Sequence, residues 1–392
     1  MIVLKKNGEA WGWGRNTEAA LGNDTILNQS SPVQVVGNHN FYFLTTHVNS
    51  AMALKQDGQI WSWGYNGYGA LGDNTLITKS SPVQVIGNHS FKSIIASMFH
   101  SIALKQDGQV WSWGYNAVGQ LGDNTLITKS SPVQVIGDHS FVKLFEGSHT
   151  SCALKNNGEA WVWGSNSNGM LGVGDTLNKS SPVQIIGDIT FRDICIGVYN
   201  GVGLDINGQT WTWGSNSYGQ LGNNTSGGVT SVSSPVLIVG DHTFIQVKTG
   251  QGNVAALKSN GEVWTWGYNN SGVLGIGTTG DRSSPVQVIG DHSFIYIESN
   301  YYNVYALKEN GEIWTWGYNG QGQLGNNGPL TSKDSPVQVV GDHNFLSFST
   351  GLSVPISNGG WKKNPFIYTL IDGVWKKVRN VFVLDGSWRN VS

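Results

Sequence analysis

"ALKQDGQVWSWGYNAVGQLGDNTLITKSSPVQVIGDHSF", residues 103–141, is nearly a copy of the stretch that begins at Ala53. The pair W-x-W-G inside it recurs at Trp11/Trp13, Trp61/Trp63, Trp111/Trp113, Trp161/Trp163, Trp211/Trp213, Trp264/Trp266 and Trp314/Trp316, seven units fifty residues apart except for one step of fifty-three. Around each pair the same elements follow in order: "DG" or "NG", the Trp strand, "G-x-N", "LG", "SPV" and a "VIG"-type ending. A repeat of this length belongs to a solenoid or to the blades of a propeller. Apolar residues alternate in "QVWSWG" and "PVQVIG", and no segment holds the i, i+3, i+4 pattern long enough for a helix. Each unit is therefore expected to form a small antiparallel sheet of about four strands. Asp57-Gly58 and Asp107-Gly108 suit tight hairpins, while Gly64-Tyr65-Asn66 and Leu71-Gly72 supply positive-φ positions and side-chain caps.

With a strand period of two, both Trp side chains of W-x-W point to one face and can pack between neighbouring sheets. A buried Trp removes about 150–250 Å² from water, so fourteen such rings are expected to dominate the core. The Pro of Ser-Pro-Val, present from Pro32 to Pro336, is expected at a strand entrance, where its missing N–H does no harm. A linear stack would need atypical capping units, and none is visible. Instead the first unit lacks the "F-x-x-I" strand, and that strand stands unaccompanied at 345–351 as "FLSFSTG". The expectation is an all-β, seven-bladed propeller over residues 1–359, closed by pairing of the N- and C-terminal segments, which would remove exposed strand edges.

The unit "AL-K-x-DG-x-xWxWG-x-N-x-x-G-x-LG … SP-V" resembles the repeat of the regulator of chromosome condensation family over about nine-tenths of the chain. The resemblance implies a seven-bladed β-propeller. It implies no single activity, since relatives include a guanine-nucleotide exchange factor, a plant ultraviolet-B photoreceptor and bacterial inhibitors of β-lactamase. The photoreceptor's G-W-R-H-T run is missing here, and "GSHT" at 147–150 has no Trp. An exchange factor would need a protruding wedge, for which the long "TSGGVTSVSSP" insertion, 225–235, is the one candidate segment.

A net charge of −2 without a basic block argues against nucleic acid as a partner. No apolar run approaches spanning length and the N-terminal stretch lacks a signal-peptide pattern, so neither membrane insertion nor ordinary secretion is expected. Cys152 and Cys195 lie in apolar strand-like runs without metal-ligand spacing. A His recurs after the "VIG" ending at His39, His89, His139, His242, His292 and His343, with Ile189 in the fourth unit. One His per blade falls on a wide ring rather than around a metal ion, and is read as part of the turn. "GIGTTG" at 275–280 precedes "DRSSP" rather than a helix, so it is no dinucleotide fingerprint. No carboxylate pair, Ser-His-Asp spacing or phosphate loop is recognisable, and neither catalysis nor a cofactor is expected.

If packing explains what the units share, recognition should be sought where they differ. Seven to nine residues after each unit's Phe come Val48-Asn49-Ser50, Met98-Phe99-His100, Ser148-His149-Thr150, Val198-Tyr199-Asn200, Gln251-Gly252-Asn253 and Tyr301-Tyr302-Asn303, with Leu352-Ser353-Val354 in the closing unit. Loops on a rigid scaffold commonly carry binding. The candidate residues are Asn49, Phe99, His100, His149, Tyr199, Asn200, Gln251, Asn253, Tyr301, Tyr302 and Asn303; the turns "NGYG", "NAVG" and "NSNG" rank second.

Residues 360–392 break the repeat and read as a small β-meander with Asp372-Gly373 and Asp385-Gly386 as turns. They carry +4, leaving −6 on the rest of the chain. Their W-K-K-V … D-G-x-W motif is similar to short terminal modules of bacteriophage structural proteins. The function expected is a non-catalytic binding propeller, virion- or phage-tail-associated, recognising a host receptor, a cell-surface glycan or, through 360–392, another virion protein. The alternative is a cellular, cytoplasmic adaptor, inhibitor or guanine-nucleotide exchange factor.

Overall fold

The computed structural model describes residues 2–5, 7–46, 49–97, 99–145, 147–226, 231–320, 322, 324–340, 367–371 and 374–378. They form seven antiparallel sheets of the repeat, here blades 1 to 7, at 2–34, 43–84, 91–134, 141–184, 191–237, 246–287 and 294–338, and no helix. In blade 3 the strands are Phe91–Ala96, His100–Lys105, Val110–Gly114 and Lys129–Gln134, paired in chain order. Blades 2 to 7 have four strands; blade 1 has three, Ile2–Leu4, Ala10–Gly14 and Gln29–Gln34. The segment expected to complete blade 1 and close the ring, 345–351, lies outside the described residues. A separate hairpin pairs Ile367–Ile371 with Val374–Val378.

Up-and-down connectivity fixes the ends of the molecule. The first-to-second loop and the long third-to-fourth loop lie at one end of every blade, called the front. The "DG" turns and the "VIG" endings lie at the rear. First strands of successive blades run side by side along the inner edge.

The core sits between blades, not inside them. One cluster joins Met52, Leu54, Ile60 and Val85 of blade 2 to Ile94, Ala103 and Trp113 of blade 3, and five others repeat the arrangement. In blades 2 to 7 the second Trp of the pair is fully buried there: Trp63, Trp113, Trp163, Trp213, Trp266 and Trp316. In all of these but Trp163 the indole N–H reaches the backbone carbonyl just before "LG" in the preceding blade, as in Trp63 to Ala20 (3.0 Å), Trp213 to Met170 (2.8 Å) and Trp316 to Val273 (2.9 Å). The Gly of "LG" lies against the same ring: a Cβ on Gly72 would come within 2.7 Å of Trp113 Nε1.

Two expectations need correction. The first Trp of each pair shares the face but is only half-buried. It lies nearer the rear, where in blades 2, 3, 4, 6 and 7 His and Lys side chains cover it instead of the preceding blade. His89 packs on Trp111 with ring centroids 4.1 Å apart, and Lys105 Nζ lies 4.6 Å from the ring; His139, His242 and His292 with Lys155, Lys258 and Lys308 repeat this on Trp161, Trp264 and Trp314. That is the work the recurring His performs. The Pro of Ser-Pro-Val sits inside the fourth strand, not at its entrance: Pro82 lies within Lys79–Gln84. The register jumps there, from Ser62↔Val83 to Gly64↔Lys79, so Pro occupies a bulge on the outermost strand, where an N–H is dispensable.

Removing the N–H by Trp→Phe should sort three blades. Trp213→Phe strands the Met170 carbonyl and should cost about 1–3 kcal/mol beyond the ring contraction. Trp113→Phe should cost less, because Ser101 Oγ also donates to Ala70 O (2.8 Å). Trp163→Phe should cost least, since Trp163 Nε1 makes no hydrogen bond and Ser151 takes Gln120 O. Urea unfolding of the three variants measures the order.

Burial, reinforced by the facing Lys, lowers the pKa of His39, His89, His139, His242 and His292. A depressed folded-state pKa means the stabilisation is complete above the unfolded value of about 6.5 and lost as pH falls through the folded values. Thermal midpoints should therefore drop below pH 6.5, and His89→Gln with His139→Gln should flatten that slope.

Candidate interaction face

The glycine of W-x-W-G organises the front end. Gly114 has φ +106°, and a Cβ there would sit 2.6 Å from Phe99 O. The next residue then donates its N–H to the carbonyl of the middle triplet residue: Tyr65 to Asn49, Tyr115 to Phe99, Ser165 to His149, Ser215 to Tyr199, Tyr268 to Gly252 and Tyr318 to Tyr302, all at 2.8–3.0 Å. The middle residue of each triplet is thus pinned at the same place in six blades while its side chain changes freely.

Those side chains gather with residues the sequence reading ranked second or missed. Tyr68, from the "NGYG" turn, lies 5.1 Å from Phe99 and 5.1 Å from Tyr115, and Phe99 lies 5.9 Å from His149. Across blades 5 to 7, Tyr218–Tyr268 (5.0 Å), Tyr268–Tyr302 (6.4 Å), Tyr301–Tyr302 (6.4 Å) and Tyr302–Tyr318 (6.3 Å) form a second run of rings. Tyr199, Tyr218, Tyr301, Tyr302 and Tyr318 are 37–42% exposed, whereas Phe99 and His149 are half-buried. Burial lowers the pKa of His149. Tyr65, Tyr115, Tyr268 and Tyr318 could have been found from sequence: each directly follows W-x-W-G.

Four candidates do not reach the surface. His100, Asn200, Asn253 and Asn303 are buried, because the last triplet residue is already the first residue of the second strand, which is packed on both sides. They fasten blades instead. His100 Nε2 meets Ser151 Oγ at 2.9 Å, Asn200 Oδ1 accepts from Thr249 Oγ1 at 3.1 Å, and Asn253 Nδ2 donates to Ser299 Oγ at 3.1 Å. Asn303 Nδ2 donates to Tyr318 O at 2.6 Å within its own blade. Asn49 and Gln251 are half-buried; Val48, Met98 and 352–354 lie outside the described residues.

Toward the axis, a cavity of about 120 Å³ opens among Ser148, Cys195, Thr249, Glu298, Asn300 and Tyr301. Lys248 Nζ pairs with Glu298 Oε2 at 3.0 Å, and Tyr296 donates its hydroxyl to the same oxygen at 2.9 Å. Burial works against the Lys248 charge, but the adjacent carboxylate holds its pKa well above the ordinary range; burial and then Glu298 push Tyr296 up. The pair bridges the first strands of blades 6 and 7. No spacing rule marks it in the sequence.

A profile of the RCC1-like domain matches residues 1–240, and profiles of the regulator of chromosome condensation (RCC1) repeat match 260–307 and 310–353, and again 244–273 and 294–323. The chain belongs to the RCC1-repeat family. Among solved structures this RCC1-repeat propeller is similar to human WBSCR16 (20% identity, TM-score 0.72, 85% of this chain and 94% of that one). It is also similar to Prp20p from Saccharomyces cerevisiae (19%, 0.74, 87% and 88%) and to yeast RCC1 (Prp20) bound to Kap60 (18%, 0.73, 86% and 85%). At these identities the likeness is one of fold. No curated protein matches the sequence significantly.

Two of the triplets are preceded by a glycine that the next blade requires. A Cβ on Gly197 would collide with Gly250 O, and one on Gly250 with Asn300 O, in each case the backbone of the next blade. At Gly252 a Cβ would find only ordinary contacts of 3.4–3.7 Å. Gly250→Ala should therefore destabilise the protein by roughly 1–3 kcal/mol, whereas Gly252→Ala should stay within about 0.5 kcal/mol of wild type. Equal unfolding midpoints for the two variants would contradict the inter-blade contact.

Proposed function

We propose that this chain is a non-catalytic propeller that binds a protein partner through its front end, with Tyr199, Tyr301 and Tyr302 as the principal contacts, joined by Phe99, His149, Asn49 and Gln251. One observation carries the reading: the backbone at the middle triplet position is held to a single geometry in six blades, while the side chain there varies and tyrosines are left half in water. A rigid scaffold that presents Tyr rings at low entropic cost suits recognition. The yeast relative supports a protein partner, since Prp20p is described with binding to Gsp1p and histones and in a complex with Kap60.

Nucleotide exchange on a GTPase is a second reading, favoured by the family. The insertion that could serve as a wedge returns to the regular fold as the strand Ser231–Leu237, and its middle, 227–230, lies outside the described residues. Attachment to a bacteriophage particle, with a receptor, glycan or virion subunit as partner, is supported by the W-K-K-V segment alone.

Partner capture by wild type, Tyr301→Ala/Tyr302→Ala and the rear-turn variant Gln56→Ala tests the reading. The double variant should keep its unfolding midpoint and bind roughly tenfold or more weakly, with Gln56→Ala unchanged. Equal capture by all three would remove the front end from consideration, and accelerated nucleotide release from a small GTPase would favour the exchange reading.

A further inference from the structure

The front end carries a second feature that the triplets do not explain. The loop from third to fourth strand bears apolar side chains at one place in four successive blades: Ile26-Leu27, Leu76-Ile77, Leu126-Ile127 and Leu177. These seven are 58–68% exposed. Single exposed apolar residues are ordinary, but repetition at one position of a shared scaffold sets these along an arc on the outer side of blades 1 to 4. Blade 6 has Thr279-Gly280 at this place, and blade 7 has Leu330 alone.

The tips are held firmly. Asn66 Nδ2 donates to Thr75 O (3.0 Å) and Ile77 O (3.3 Å), and Ile77 N donates to Thr75 Oγ1 (3.3 Å); Asn116, Thr125 and Ile127 repeat this in blade 3. Little ordering cost is left for binding. The cations beside the tips are already matched within their loops, Lys79 with Asp73 (3.3 Å), Lys129 with Asp123 (3.8 Å) and Lys179 with Asp175 (2.6 Å). In these loops Asp24 of blade 1 adds one carboxylate, so the arc offers apolar contact with little charge to select an ionic partner.

We propose that this arc joins two copies of the chain around a two-fold axis passing between blades 2 and 3. A partner must carry apolar tips at the same angular step and radius, and a second copy does. The axis places Leu76 and Ile77 of one copy against Leu126 and Ile127 of the other, and Ile26 and Leu27 against Leu177, the reciprocal matching that an isologous contact requires. Seven side chains exposing on the order of 100 Å² each bring about 700 Å² per copy, close to the roughly 800 Å² per partner of a stable interface. The exposed tyrosines of blades 5 to 7 are not among the seven tips, so the inference does not depend on the partner-binding reading.

Sedimentation and light scattering of the full chain test it. Wild type should show twice the monomer mass, Leu76→Asp/Leu126→Asp should weaken self-association roughly 100-fold, and Leu330→Asp should leave it unchanged. Mixing Ile77→Cys with Ile127→Cys chains should give a cross-linked dimer on mild oxidation, a readout independent of the charge variants. A wild type that remains monomeric near ~100 μM, where a standard-size interface would be populated, overturns the inference. So does a dimer indifferent to the double substitution. Flotation of a monomer on neutral phosphatidylcholine vesicles, abolished by Leu76→Asp/Leu126→Asp, would assign the arc to lipid instead. Tyr301→Ala/Tyr302→Ala should leave the mass unchanged, which separates failure here from failure of the partner-binding reading.

Discussion

The fold depends on an indole clasped by its neighbour. In five of the six blade junctions described, the second Trp of the pair lies fully buried against the preceding blade and donates its N–H to that blade's carbonyl before "LG". One side chain thus supplies apolar area and directional register together, and neither is available to an isolated sheet. The variation is equally informative. At Trp163 the carbonyl is taken by Ser151, and the ring holds its place by packing. Blade 5 instead brings Gly201 so close to Trp213 that no side chain fits between them.

Much of this was legible because the repeat is so regular. The period gave seven sheets, and the "G-x-N" and "LG" signals named positions that do their expected work: Gly64 and Gly72 have positive φ, and Asn66 caps Leu71 N at 3.0 Å. Depth of burial was not legible. Both Trp side chains of a pair face the same way, but strand alternation cannot say that one end of the wedge is sealed by the preceding blade and the other by His and Lys. Nor could composition show that Pro82 sits in a bulge, since that depends on how Gly64 pairs with Lys79.

The candidate face was half readable. Divergence among copies located the triplet, and Tyr199, Tyr301 and Tyr302 emerged exposed. The same divergence also selected His100, Asn200, Asn253 and Asn303, which vary because each solves a different junction with the next blade or its own. Variation between repeats therefore marks two things, freedom at the surface and local fitting at a seam, and only the strand boundary separates them. The turn tyrosines and the Lys248–Glu298 pair depend on contacts between residues about fifty positions apart, which a reading along one strand does not reveal.

The location of the core between blades has a bearing on how the chain responds to damage. No single repeat has an interior of its own, and blades 2 to 6 are each gripped on two sides. A nick in one of the exposed rear hairpins, such as that around Asp57-Gly58, would break the chain without freeing a piece, and the severed halves would remain assembled until several seams let go together.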